Sequence, residues 1–358
     1  MIDSKDITVV VQGPVRPDTK KCFDSIRRVL PNAEIIFSTW TGEDLCGIEP
    51  DRTVRSVMPP AYPQHRDGTL SSLNRLLRST KAGVALAERK YVLKIRSDLV
   101  IESDCFLRHF DAYPARGPRA VFKHKIVVPL TFSRREYRKH PVPFHLSDWA
   151  AFGLREDIAA LYLETPEVEE PAFSQYFLDR PDETPFETTT FRMAPEQYFC
   201  YSAFERSFSD IRMRDAGDAA PDVIRASDEF IVSNFLIPDY SKTGWHVAKY
   251  PESKDEFSKE EQFFTLWSEY VYQYFYKKHC DPSFVIPESK SRAFCRRRRF
   301  YETLGRLKKH ADHLLHAAPS KRFEQLLIIP FLALKLGVLA FAGKLRPAAE
   351  EPIRFDHE

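Results

Sequence analysis

The chain has 358 residues, 43% of them hydrophobic, which is enough to bury a sizeable core and too apolar for a disordered polypeptide. Its six cysteines (Cys22, Cys46, Cys105, Cys200, Cys280, Cys295) form no C-x-x-C pair and no Cys/His cluster at zinc spacing, which argues against a disulfide framework and a structural zinc site. The net charge of +2 hides an asymmetry: between Lys290 and Arg322 eleven Lys and Arg face only Glu302 and Asp312, so this window carries +9 and the remainder −7.

The first residues place charges at Asp3, Lys5 and Asp6 before a short apolar run, Ile7 to Val11, which reads as a buried strand rather than a signal peptide and points to the cytoplasm. Phe23, Ile26, Val29 and Leu30 then recur at helical spacing. Ala33 to Trp40 and Thr53 to Met58 read as the second and third strands, Leu70 to Ala87 as a helix with Leu70, Leu73, Leu77 and Val84 near one face, and Tyr91 to Ile95 as the fourth strand. This alternation predicts an α/β fold with a doubly wound, mainly parallel sheet flanked by helices.

Phe122 to Val128 is a further predicted strand. Phe144 to Leu154 holds a polar cluster in apolar surroundings, ahead of a helix from Glu156 to Leu163. The segment Glu164 to Glu187, with Pro166, Pro171, Pro181 and Pro185, reads as an irregular insertion and an exposed lid or loop. Pro195 suits the first turn of a helix, which puts Glu196 at a helix N-terminus. Glu261 to Lys278 reads as an aromatic-rich helix, followed by basic helices from Arg292.

In doubly wound sheets ligands bind beyond the carboxyl ends of the strands, so the residues there are the ones to read for chemistry. They are Gln12-Gly13-Pro14 after the first strand, Thr39-Trp40-Thr41-Gly42 closing the second, and Arg96-Ser97-Asp98 after the fourth. Together with PNAEIIFSTW (31 to 40), LNRLLRSTKAG (73 to 83), PFHLSDWAAFGL (143 to 154) and PEQYF (195 to 199), the runs VVVQGPV (9 to 15) and KIRSDL (94 to 99) resemble the WavE lipopolysaccharide synthesis family across residues 1–250. That resemblance implies a Rossmann-type GT-A fold and transfer of a sugar from a nucleotide-sugar donor to a glycan or lipid-linked glycan. One departure bears on nucleotide preference: Ser71-Ser72 precede Asn74-Arg75 and Leu76 follows, where the family carries a more Asn-rich approach and a Gln.

The resemblance also suggests roles. Enzymes of this type neutralise the departing diphosphate, often with a divalent ion held by an Asp-x-Asp element. Here that position reads Arg96-Ser97-Asp98, leaving Asp98 as the ligand for Mg²⁺ or Mn²⁺, with Arg96 as an alternative source of charge. Glu196 is the expected base for the acceptor hydroxyl and Asp148 a ligand of sugar hydroxyls, or the reverse. Gly13, between Gln12 and Pro14, permits close backbone approach to the nucleotide. Asn74, Arg75 and Lys94 are candidates for base or phosphate. Trp149 offers a platform for a sugar ring, beside Ser147 and His145.

The last hundred residues are read without the resemblance, with boundaries at 1–250 for the transferase domain, 251–318 for a helical basic extension and 319–358 for an apolar tail. Leu326 to Gly343 spans eighteen residues, the length of a membrane-crossing helix, but Pro330 interrupts it and Lys335 sits at its middle. A central Lys costs about 2.5–3.5 kcal/mol and each large apolar residue returns only about 0.3–0.6. A helix lying in the interface of an anionic membrane, with the basic window beside it, fits better. Nucleic acid is disfavoured as a partner, because the Arg cluster has little aromatic interleaving and adjoins an apolar tail. A non-catalytic scaffold with the same fold, organising a glycan-assembly complex, is the rival from another class.

Overall fold

The computed structural model describes residues 2–247, 264–316 and 328–338. The boundaries at 250/251 and 318/319, residues 261–263, Lys321, Arg322 and both ends of the apolar stretch 326–343 lie outside them. The chain divides into two compact units, Met1–Phe284 and Val285–Glu358, so the aromatic helix Glu269–His279 belongs to the first.

The centre of the first unit is a seven-stranded sheet. Its strands in chain order are β1 (Ile7–Gln12), β2 (Glu34–Trp40), β3 (Arg52–Ser56), β4 (Tyr91–Arg96), β6 (Ile126–Val127), β9 (Ala150–Leu154) and β10 (Phe235–Leu236), while the short β5 (Leu99–Ile101), β7 (Glu136–Tyr137) and β8 (His140–Pro141) pair outside it. Their spatial order is β10-β6-β9-β4-β1-β2-β3. β1 pairs in parallel with β2 and β4, and β2 with β3. Every residue of β1 is buried, which is why the strand reads as a continuous apolar run rather than an alternating one.

Helices α1 (Thr19–Val29) and α2 (Leu73–Val84) pack on this sheet. Phe23 of α1 meets Phe37 of β2 edge to face at 5.3 Å. Gly83 brings α2 so close to the sheet that a Cβ there would collide with the side chain of Val10. The helix is shorter than its sequence pattern, and Leu70 lies outside it, 54% exposed.

The sequence pattern does not disclose β9, which enters antiparallel between β4 and β6 with Ile95 opposite Ala150 and Tyr91 opposite Leu154. Because β9 runs against β4, its start lies beside the end of β4. That antiparallel insertion carries the segment before β9, including Asp148, to the carboxyl edge of the parallel strands.

One further expectation is corrected. The strand expected over Phe122 to Val128 shrinks to β6, because side chains satisfy its earlier backbone: Val121 N donates to Asn234 Oδ1 (2.7 Å), and the N–H groups of Lys123 and His124 donate to the Asp157 carboxylate (2.7 and 2.8 Å). The segment Glu164 to Glu187 is irregular and mostly exposed, and the buried Thr165, Ser174, Phe177 and Phe186 fasten it to the body of the first unit. The next helices are α4 (Arg155–Tyr162), α5 (Pro195–Ser207) and α6 (Pro221–Asn234), with short α3 (Cys105–His109) before them and α7 (Tyr240–Thr243) after.

The aromatic helix, here α8 (Glu269–His279), is tied to the sheet where Tyr272 Oη donates to the carbonyl of Phe235 at 2.8 Å. In the second unit the Arg-rich window lies on one long helix, α9 (Glu288–His316), and residues 328–338 form another. Phe331, Leu334 and Val338 on the latter are 68%, 70% and 57% exposed. No helix among the described residues is long and apolar enough to cross a membrane.

Candidate active site

The strand registers put Gln12 beside both Ser38 and Arg96, and Trp40 beside Ser56, so the ends of β1, β2 and β4 share one edge. A cleft of about 190 Å³ opens there, lined by Gln12, Gly13, Pro14, Arg16, Trp40, Met58, Arg75, Arg96, Ser97, Asp98 and Asp148 among others. The chain leaves β1 at Gly13 with φ +117°, a conformation that side chains disfavour, and an added Cβ would come within 3.2 Å of Ser97 Oγ. Ser97 fastens this turn from the β4 side: its N–H donates to the Gln12 carbonyl (2.9 Å) and its hydroxyl to the Pro14 carbonyl (2.6 Å). The Gln12 amide oxygen accepts from Ser79 on α2 (2.8 Å), joining helix and turn.

Three guanidinium groups surround this turn. Arg96 grips Asp98 with two parallel bonds, Nε to Oδ1 and Nη2 to Oδ2, both 2.9 Å. Arg16 Nη1 stands 3.5 Å from Asp98 Oδ2. Arg75 donates Nε to the carbonyl of Pro59 (2.9 Å), which fixes the plane of its fork. Asp98 is 2% exposed, and a buried carboxylate is stable only with such partners.

The second feature is a pair of acids. Glu196 is the second residue of α5, and its carbonyl accepts from Leu146 N–H (3.1 Å), which ties the helix start to the Asp148 segment. Gln197 seals that first turn, its Nε2 donating to the carbonyls of Pro143 (3.0 Å) and Ala216 (3.2 Å). Burial first and the charge of Asp148 second push the Glu196 carboxyl up to about 7, against a smaller opposite pull from Arg134 and Arg96. Beneath Asp148 lies Lys94, fully buried, whose ammonium donates to the Asp148 carbonyl. Burial draws Lys94 down to about 8, with Asp148 opposing.

The model of a family described as WavE lipopolysaccharide synthesis matches residues 7–308. The chain belongs to the WavE family. No curated protein matches it. The match runs beyond residue 250, the limit of the resemblance visible in short motifs, and takes in α8 and much of α9.

In this WavE family member the constellation around Asp98 does not fit a divalent ion. Each Asp98 oxygen already accepts from an Arg96 nitrogen, and the Arg16 cation stands beside it. Mg²⁺ and Mn²⁺ need hard oxygen ligands, and both oxygens of this carboxylate are already taken up by guanidinium nitrogens.

Of the residues singled out from sequence, Gln12, Gly13, Pro14, Trp40, Arg75, Arg96, Asp98 and Asp148 come together on the cleft. Others lie behind it. Thr39 is buried and donates to the Glu43 carboxylate, which also accepts from Val15 N–H (2.9 Å), so it braces the loops after β1 and β2. Asn74 exchanges two bonds with the backbone of Val168 (2.9 and 2.8 Å) and clamps the Pro-rich segment to α2. Trp149 is 5% exposed, with Phe132 at 5.0 Å and the Arg96 guanidinium over its ring at 5.5 Å, so its face supports an arginine rather than a sugar. His145 is a core histidine: its Nδ1 bonds the Phe132 carbonyl (3.0 Å), and burial, aided by Arg134, lowers it to about 3. Ser147 is buried with its N–H on Ser133 Oγ (3.1 Å), and its hydroxyl has no hydrogen-bond partner among the described residues. The sequence reading missed Arg16, Ser79 and Met58, and it named Ser97 among the strand-end residues without giving it a role. Arg16 lies only two residues beyond Pro14, and extending the strand-end rule by one turn finds it.

Proposed function

We propose that the chain moves a sugar from a nucleotide-sugar donor to a growing lipopolysaccharide or related surface glycan. Membership of the WavE family supports the setting, and the observation that carries the chemistry is the Glu196 carboxyl, held near neutrality by burial and by the charge of Asp148; Asp148 lines the cleft with three guanidinium groups, and Glu196 itself is not among the lining residues. In this reading the acceptor hydroxyl loses its proton to the Glu196 carboxylate as its oxygen bonds to the anomeric carbon. The bond from that carbon to the phosphate oxygen breaks, and the nucleotide leaves with the electron pair, stabilised by positive charge. Asp148 accepts hydrogen bonds from sugar hydroxyls.

The second unit offers the means to work at a membrane surface. Phe331, Leu334 and Val338 expose a contiguous apolar helix face, and Arg296 to Arg299 lie in the Arg-rich helix of the same unit, so we assign attachment to the anionic leaflet where a lipid-linked acceptor is presented. Phosphatidylglycerol vesicles should sediment the full chain, and Phe331→Asp with Leu334→Asp should release it. Equal retention of that variant would remove this face as the anchor, and stronger binding to duplex DNA at matched salt would redirect the basic window.

Thermal-shift and calorimetric screening against UDP-, GDP-, TDP- and CMP-sugars tests the transferase reading. Binding of one nucleotide class, followed by product formation with a glycan acceptor that Glu196→Gln abolishes, is the expected result. Silence across the panel from folded protein would favour the non-catalytic scaffold.

A further inference from the structure

We infer that this chain neutralises the phosphates of a nucleoside diphosphate with arginine rather than with a divalent ion, Arg16 and Arg75 making the contacts and Asp98 serving as the anchor that orients arginines. The inference rests on the transferase reading and specifies how its donor is held.

Three observations carry it. First, the carboxylate at the usual metal position is committed: both Asp98 oxygens accept from Arg96 at 2.9 Å, and Arg96 is further immobilised against the ring of Trp149. A divalent ion at Asp98 would have to displace that fork and then stand next to two guanidinium cations. Second, Arg75 spends one donor on the Pro59 carbonyl, and its two terminal nitrogens have no hydrogen-bond partner among the described residues. Third, Arg16 reaches the same cleft from the β1 turn, its side chain 40% exposed and its Nη1 3.5 Å from Asp98 Oδ2. Two planar forks thus present several N–H donors to one cleft, and planar forks match phosphate oxygens in pairs.

The cleft lining adds up accordingly. Arg16, Arg75 and Arg96 outnumber Asp98 and Asp148 by one charge before any ion is added. The turn at Gly13 lines the same cleft as the two forks and carries no side chain, so an anion there can lie against backbone. Arg96 and Asp98 then act as a positioning pair, fixing the floor of the site without themselves cancelling the ligand's charge.

Calorimetric titration of the full chain with UDP, GDP and TDP, in EDTA and separately in excess Mn²⁺, tests this. The expected result is that at least one of the three binds with the same affinity in both buffers, and that Arg16→Ala and Arg75→Ala each weaken it by at least about tenfold in EDTA, as the loss of a charge-assisted contact requires. Unchanged melting temperature in Arg16→Ala, the more exposed of the two, separates lost contact from lost fold. Binding that appears only with Mn²⁺ overturns the inference and leaves the transferase reading standing. Binding in EDTA that neither substitution weakens also overturns it. If none of the three binds in either buffer the inference falls, and the sugar-nucleotide screen then decides the transferase reading on its own.

Discussion

Two clusters of charge meet at the carboxyl edge of the sheet, and their neighbours are opposite in kind. Asp98 is enclosed by cations, with Arg96 on both oxygens at 2.9 Å and Arg16 at 3.5 Å. At Glu196 burial and the charge of another acid, Asp148, outweigh the pull of Arg134 and Arg96, and its carboxyl is displaced upward to about 7. A paired buried carboxylate cannot take up a proton without stranding its partners, so it holds geometry. An acid whose two protonation states are nearly balanced can exchange a proton at little cost, so it suits chemistry.

The largest effect expected from breaking this contrast is on turnover. Glu196→Gln keeps the shape but removes the proton acceptor, and should lower kcat by about 10²–10⁴-fold while leaving donor affinity intact. The same change should stabilise the fold. A carboxyl raised from 4.5 to about 7 on folding contributes most below its unfolded pKa and loses that contribution as pH climbs to 7. Glutamine escapes the loss, and allowing for solvent screening the gain at pH 8 should be roughly 1–3 kcal/mol by urea unfolding, vanishing near pH 4. A variant less stable at pH 8 would show that Glu196 is not held against its charge.

Asp148→Asn moves the balance instead of removing it. Without the neighbouring negative charge Glu196 should ionise more readily, so the rising limb of kcat against pH, set near 7 in the parent, should shift to lower pH. A limb that stays in place would separate the two acids. Smaller again is Gly13→Ala, which forces a side chain into φ +117° and against Ser97, with a cost of about 1–2 kcal/mol in stability and weaker donor binding.

The parallel half of the sheet was legible because β1, β2 and β4 are apolar, β-branched runs closed by turn residues, and the strand-end rule then led to Gln12, Arg96 and Asp98. The pairing of Arg96 with Asp98 was also within reach, since residues two apart can meet in almost any fold. What local pattern does not carry is the antiparallel entry of β9: AAFGL is equally a buried strand or part of a helix, and its direction is decided by what it packs on. The polar residues before it therefore looked equivalent. The fold separates them, sending Asp148 to the cleft and leaving His145, Ser147 and Trp149 in the interior. The chemistry of a side chain was readable, but the face it occupies was not.

Asn74 gives the smallest expected effect and sharpens that point. By residue type it is a natural partner for a nucleobase, and Arg75, its neighbour in α2, does line the cleft. Successive helical residues project about 100° apart, so the two cannot serve the same surface. Asn74 faces the Pro-rich segment and exchanges both a donor and an acceptor with Val168, satisfying backbone groups that no strand or helix takes up. Asn74→Ala should cost about 1–2 kcal/mol in urea unfolding and admit protease to residues 164–187, because a half-buried N–H and C=O lose their partners. Nucleoside diphosphate affinity should stay within about twofold, well short of the loss expected for Arg75→Ala. A comparable loss of affinity in both variants would mean that the clamp and the cleft are one unit, with the segment 164–187 holding α2 in the position from which Arg75 reaches its ligand.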